Sequence, residues 1–283
     1  MKDYPTVNHE ENNRMHKICA LDFQLFLRRL GLDRFFQGFY YFKWLEYPLA
    51  YNNLEFESGN KYLDIGSGKS IFPLFVLAKN ECSVRIIDDQ SIIKDSRNYY
   101  KDTINKMQLN DQTKSQFIIH ESWQNGKYDF PDNYFDRISC ISVLEHIKAN
   151  GDSAVMREIA RLLKKRGIAV VTFPFNNGDY IEENIAEQVG YFQRKYNISA
   201  IRKRIIDVTN LTTKKVIYFG ERYVRFGRLY SQHKFKKINW LIPVLAPLLW
   251  RICHCYQGPY HDFHEIEIDK NGVGVACIVL EKQ

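Results

Sequence analysis

Met1 to Arg14 holds no apolar run, so nothing in that stretch reads as a secretory signal, and a cytoplasmic location is expected. The six cysteines, Cys19, Cys82, Cys140, Cys253, Cys255 and Cys277, lack the rhythm of a disulfide scaffold, and reduced thiols follow. No bilayer-length apolar segment is present. Ile238 to Ile252 is rich in Trp, Leu and Ile but is short and interrupted by Pro243 and Pro247. Standard zinc-finger spacing is also missing from Cys253, His254, Cys255, His261 and His264, so no bound metal is expected. What remains is ordinary for a soluble globular chain: 45% hydrophobic and 26% charged over 283 residues. That length can bury one full core and carry a sizeable appendage.

Charge is unevenly placed. Thirteen Lys or Arg between Phe192 and Lys237 face only Asp207 and Glu221, so the net charge of +7 belongs to that segment and the remainder is net acidic. Such a segment is either a solvated surface or a site for an anionic substrate, a membrane or nucleic acid.

The chain is organised around Lys61 to Ser70, Lys-Tyr-Leu-Asp-Ile-Gly-Ser-Gly-Lys-Ser. Tyr62, Leu63 and Ile65 suit a buried strand, Gly66 and Gly68 allow a tight turn, and Ser70 to Ala78 reads as a helix with Pro73 in its first turn. A Walker A loop would need glycine where Leu63 stands. A dinucleotide Gly-x-Gly-x-x-Gly would need one where Ile71 stands. Asp64-Ile65-Gly66-Ser67-Gly68 instead resembles the first motif of class I S-adenosylmethionine-dependent methyltransferases, although the third glycine usual there is replaced by Lys69 or Ser70.

Further along, Ser83 to Ile87 reads as a second strand ending at Asp88-Asp89. A carboxylate there can take both hydroxyls of a ribose, and either aspartate can alternatively cap the following helix. Phe117 to Ile119 is a third strand. Tyr128 to Ile147 joins turn residues to a fourth strand, Phe135 to Ile141, and to the run Val143-Leu144-Glu145-His146-Ile147, which resembles the corresponding motif of type-11-like methyltransferases. Met156, Ile159, Ala160 and Leu163 make a helical face that Gly167 is placed to end in a left-handed cap, ahead of a fifth strand from Ile168 to Phe173.

The resemblance implies a Rossmann-like α/β fold: a seven-stranded, mostly parallel sheet with helices on both faces, an N-terminal helical segment and lid insertions. Expected divisions are a helical cap over 1–55, a cofactor-binding core over 56–174, a lid over 175–213 and the end of the sheet over 214–283, with an insertion at 221–267. In the cap, Ile18, Leu21, Leu25 and Phe26 form an apolar stripe before Gly31, and an aromatic helix closes at Glu46-Tyr47-Pro48. Val273 to Leu280 is expected to be an antiparallel strand slipped between earlier ones.

For function, the resemblance implies methyl transfer from S-adenosylmethionine to a small-molecule or lipid-linked acceptor. The cofactor residues implied are Asp64, Gly66, Ser67, Gly68, Asp88, Asp89, Glu121, Ser122, Ile141 and Ser142. Glu121 and Ser122 inherit an adenine contact by position, and Trp123 could line the same pocket. His146 is a candidate base, or a structural histidine at a helix start. The alternatives are a nucleic-acid methyltransferase or binder using the basic segment, and a cofactor-binding partner subunit without activity. Ile141-Ser142-Val143-Leu144 stands where a base-methylating enzyme would carry an Asn-Pro-Pro-Tyr-like motif, which disfavours nucleic acid. The apolar 238–252 segment suits a buried helix, a homodimer face, or a peripheral contact with the inner face of a membrane.

Overall fold

The computed structural model describes residues 17–31, 43–121, 127–184, 192–221, 254–261 and 274–283. The expected aromatic stretch before residue 43, Trp123, the apolar 238–252 segment, Cys253 and His264 lie outside the described residues.

Five strands run parallel: β1 (Lys61–Ile65), β2 (Ser83–Asp88), β3 (Phe117–Glu121), β4 (Phe135–Ile141) and β5 (Leu163–Phe175). Their residues alternate between two apolar layers. Tyr62, Val84, Ile86 and Val170 enter one layer, while Leu63, Ile65, Ile87, Ala169 and Val171 enter the other. Strands buried on both faces need such near-continuous apolar runs. Covering one face are α1 (Ala20–Leu30), α2 (Lys43–Leu54), α3 (Phe72–Lys79) and α4 (Gln90–Lys106). A short α5 (Asp111–Ser115) leads into β3, and α6 (Gly151–Leu162) covers the other face.

Sheet order is β3-β2-β1-β4-β5-β10-β8-β9, with β8 at Leu211–Glu221, β9 at His254–Tyr260 and β10 at Gly274–Lys282. As expected, β10 is antiparallel to both neighbours and lies between β5 and β8. Among the described residues this sheet has eight strands rather than seven. The extra one, β9, forms the edge and comes from the 221–267 segment expected to be an insertion.

Three local expectations change. The buried face of α1 is Phe23, Phe26, Leu27 and Leu30, leaving Leu21 and Leu25 50% and 46% exposed. Aromatic contacts choose that face: Phe23 stacks on Phe75 at 3.9 Å and Phe26 meets the same ring edge-on at 5.4 Å. Helix α2 continues through Pro48 to Leu54 instead of closing at Glu46-Tyr47-Pro48, since Trp44, Leu45, Tyr47, Ala50 and Leu54 are buried along its length. Packing on this scale outweighs one missing N–H. Gly167 is not the cap of α6. The chain enters β5 at Leu163, opposite Phe135, and a register shift before Ile168 absorbs the extra residues. Arg166 takes the left-handed conformation at φ 64°.

Beyond β5 the expected lid is a hairpin, β6 (Ile181–Asn184) with β7 (Phe192–Lys195), followed by α7 (Ile198–Ile201) and a π-turn over Arg202–Ile206. Arg194 is fully buried and pins the hairpin to the loop after β4. Its Nε donates to Glu182 at 2.8 Å, and its other nitrogens donate to the carbonyls of Ile147 and Ala149. Buried Asp152 draws in the neighbouring segment, accepting from Tyr196 at 2.9 Å and from Arg204 at 2.7 and 2.8 Å. Asn197 caps α7 by accepting from the Ala200 N–H at 2.8 Å. Asn197→Ala is expected to lower unfolding free energy by about 1 kcal/mol in urea, as loss of such a cap does elsewhere.

Candidate active site

Chain direction across the sheet reverses between β1 and β4, and the carboxyl ends of those strands form a crevice. In open α/β sheets ligands bind at such a switch point. Here the glycine turn and the loop after β4 meet. Gly66 has φ +74°, donates its N–H to Ile87 O at 2.8 Å, and lies so close to Val143 that a Cβ would stand 2.4 Å from a methyl. Gly68 has φ +52° with open space where its Cβ would be. The same turn is therefore closed on one side and open on the other.

Asp88, at the end of β2, accepts from Gly68 N at 2.5 Å through one oxygen and from Asp89 N at 2.8 Å through the other. Burial raises its carboxyl pKa despite these two N–H bonds. Each oxygen keeps a second lone pair for a ligand hydroxyl. Asp89 is exposed and directly precedes α4. Glu121 ends β3 opposite Asp88, and Ser122 lies outside the described residues.

Asp64 has a different part. One of its oxygens accepts from Ser67 Oγ at 2.7 Å and the other from Ser139 Oγ, which also meets Tyr62 OH at 2.5 Å. Burial pushes this carboxyl up to about 6. Asp64 thus fastens the turn from beneath, its oxygens engaged by the chain's own hydroxyls.

Helix α2 closes the crevice from the side, a role not legible in the aromatic run. Glu46, 1% exposed, accepts from Ser142 Oγ at 2.6 Å, Thr172 Oγ1 at 3.0 Å and Lys43 Nζ at 2.6 Å. Tyr47 OH meets Ser70 Oγ at 3.0 Å, and burial pushes the phenol up to about 12. Ile141 ends β4 with its carbonyl 3.5 Å from Lys43 Nζ, while Ser142 holds φ +54° and donates its N–H to Thr172. The only sequence signal was a Lys and a Glu three apart among rings. Thr172→Val removes the bond from Oγ1 to Glu46 and the side-chain partner of Ser142 N, which keeps its bond to the Thr172 carbonyl. About 1–2 kcal/mol should be lost from unfolding free energy, read from the denaturant midpoint at unchanged slope.

Leu144–His146 forms a 3-10 turn at the mouth. His146 Nδ1 lies 2.9 Å from Phe192 O, which can only accept, so Nδ1 carries the hydrogen. Burial lowers the His146 pKa, opposed by that carbonyl, with Lys43 lowering it further.

Sheet order, glycine turn and acidic β2 end together define a class I S-adenosylmethionine-dependent methyltransferase, an enzyme whose methyl donor is S-adenosylmethionine. The chain belongs to the methyltransferase domain family, whose model matches residues 40–237. No curated protein matches the sequence. Among solved structures it is similar to phosphoethanolamine N-methyltransferase 2 of Haemonchus contortus, with TM-score 0.57 and 16% identity over 99% of this chain and 61% of that one. A putative sarcosine dimethylglycine methyltransferase of Galdieria sulphuraria gives 0.52 and 14% over 85% and 84%. The [4+2]-cyclase SpnF gives 0.52 and 15% over 83% and 80%. At these identities the likeness is one of fold, and the cyclase shows that this fold is not confined to enzymes named for methyl transfer.

Proposed function

We propose that this enzyme methylates a small molecule, with the donor lying across the open side of the Gly66-Ser67-Gly68 turn. The carrying observation is the pairing at Gly68: a left-handed residue with empty space above it, beside a carboxylate with lone pairs to spare. In this reading Asp88 grips the ribose with Asp89 beside it, Glu121 and Ser122 border the adenine, and Ile141 and Ser142 flank the turn. Asp64 holds the turn's shape. S-adenosylmethionine supplies a methyl already activated by its sulfonium, so the chain's main task is to align the acceptor and exclude water. His146 is the base within reach of that acceptor.

Support for a small acceptor comes from α2, which closes the crevice from the side, and from the structurally similar proteins. One was crystallised with phosphomonomethylethanolamine and S-adenosylhomocysteine, another with N-methylheliamine and S-adenosylhomocysteine. A lipid-linked acceptor, a membrane contact or a homodimer face would draw on residues 238–252.

Calorimetry of the purified protein with S-adenosylhomocysteine is the direct test, and heat of binding at one site is expected. Mass spectrometry of a cell extract given labelled S-adenosylmethionine should then show small molecules gaining a methyl. Absence of binding by folded protein would overturn the reading, and methylated RNA or DNA as sole product would overturn its small-molecule part.

A further inference from the structure

The fold turns Leu21 and Leu25 away from the core that the sequence predicts for them. Phe23, Phe26, Leu27 and Leu30 take the buried side of α1, and the two leucines stay 50% and 46% exposed, one turn apart, on its outer side. Arg28 and Arg29 continue that line in the last turn, and Lys17 stands just ahead of the helix, all three exposed. None of these cations has an acidic partner among the described residues. Asp22 is the helix's single acid, and its carboxylate is engaged locally, accepting from Cys19 N at 2.8 Å. The outer side of α1 is therefore two apolar side chains bracketed by free positive charge.

Going beyond the function proposed above, we propose that this face of α1 seats on a membrane surface carrying anionic lipid. The leucines enter the boundary between headgroups and acyl chains, while Lys17, Arg28 and Arg29 extend to the lipid phosphates and carboxylates. This seat is separate from the 238–252 segment and needs no particular acceptor.

Size and charge choose the occupant. A helix of 11 residues is about 16 Å long, and its outer face offers on the order of 200 Å², against about 800 Å² per partner in a stable protein complex. A second copy of the chain would also set three unpaired cations against three more. A lipid surface needs neither a matching shape nor a large area, since apolar and ionic shares add along one helix face. The helix is held ready for it. Phe23 stacks on Phe75 at 3.9 Å and lies 5.6 Å from the Tyr47 ring, so α1 is fixed to α3 and to the helix that walls the crevice. No ordering of the seat is left for the moment of contact.

Sedimentation of the full chain with vesicles tests the seat, one set being phosphatidylcholine alone and the other phosphatidylcholine with phosphatidylserine as a minor part. Wild type should bind the anionic set and be released as salt rises. The basic 192–237 and apolar 238–252 segments offer lipid other contacts, so the variants decide. Leu21→Gln with Leu25→Gln should weaken partitioning about twenty-fivefold, about fivefold for each half-exposed leucine. Arg28→Gln with Arg29→Gln should weaken it about as much, about fivefold per cation, and flatten the salt dependence. All four positions are exposed, so both variants should fold and bind S-adenosylhomocysteine as the wild type does. Failure of the wild type to bind S-adenosylhomocysteine would strike the cofactor reading and leave this one standing. Wild type that ignores anionic vesicles, or variants that bind them unchanged, would overturn the proposal. So would a wild-type dimer in lipid-free buffer that the leucine variant splits, since the face would then belong to a second copy.

Discussion

Asp88→Ala is expected to weaken S-adenosylhomocysteine binding by roughly two to four powers of ten. Hydrogen bonds to a charged acceptor contribute about 1.5–3 kcal/mol each, and a ribose diol makes two of them, which sets that range. The same substitution removes the acceptor for Gly68 N and frees the turn that frames the ligand. Asp88→Asn, which keeps the shape but only one acceptor atom, should fall between the two. Since burial raises the Asp88 pKa, binding should also weaken toward acid as the carboxyl gains a proton and loses accepting capacity. Calorimetry on the three proteins across pH checks all of this. Equal affinity in Asp88→Ala would move the ribose elsewhere.

The two glycines of the turn should fail in different ways. Gly66→Ala places a methyl against Val143 in a left-handed residue, costing about 1–2 kcal/mol for the backbone and about 1–3 for the overpacking. Val143→Ala in that background should restore the overpacking share and leave the backbone share. Gly68→Ala meets nothing, so stability should fall only by about 1–2 kcal/mol. Its methyl nevertheless enters the space assigned to the cofactor, and S-adenosylhomocysteine binding should be lost while the fold persists. Unfolding in denaturant and calorimetry on the same samples separate the cases. A Gly68→Ala protein that binds like the wild type would show that the space is not the cofactor's.

Legibility followed the distance between interacting residues. The strand, turn and helix from Lys61 to Lys79 could be read because apolar run, glycines and proline act on their own neighbours. The place of β10 in the sheet was also readable, through its position as the last apolar strand. Glu46 was not, because its hydroxyl partners are 96 and 126 residues away and only the fold brings them together. The face of α1 was misjudged for a similar reason: alternate apolar stripes were available, and rings on α2 and α3 decided between them. Gly167 shows that a glycine after a helix need not be its cap when the partner strand claims the preceding residues. Glu145 stood in plain view within the recognised run, yet nothing in the run tells that its carboxyl is submerged.

The position of β10 also orders events on the ribosome. Strands β1 to β5 can zip together as soon as residue 175 has emerged, since the pairings β3-β2, β2-β1, β1-β4 and β4-β5 all lie among them. The β8–β9 ribbon has no such place to go. Its bonds to the sheet run wholly through a strand made roughly a hundred residues after β5, so it must wait with one edge bare. Synthesis stalled in that interval would leave a nascent chain with a folded crevice and a sticky, unclaimed ribbon, the form most in need of a chaperone.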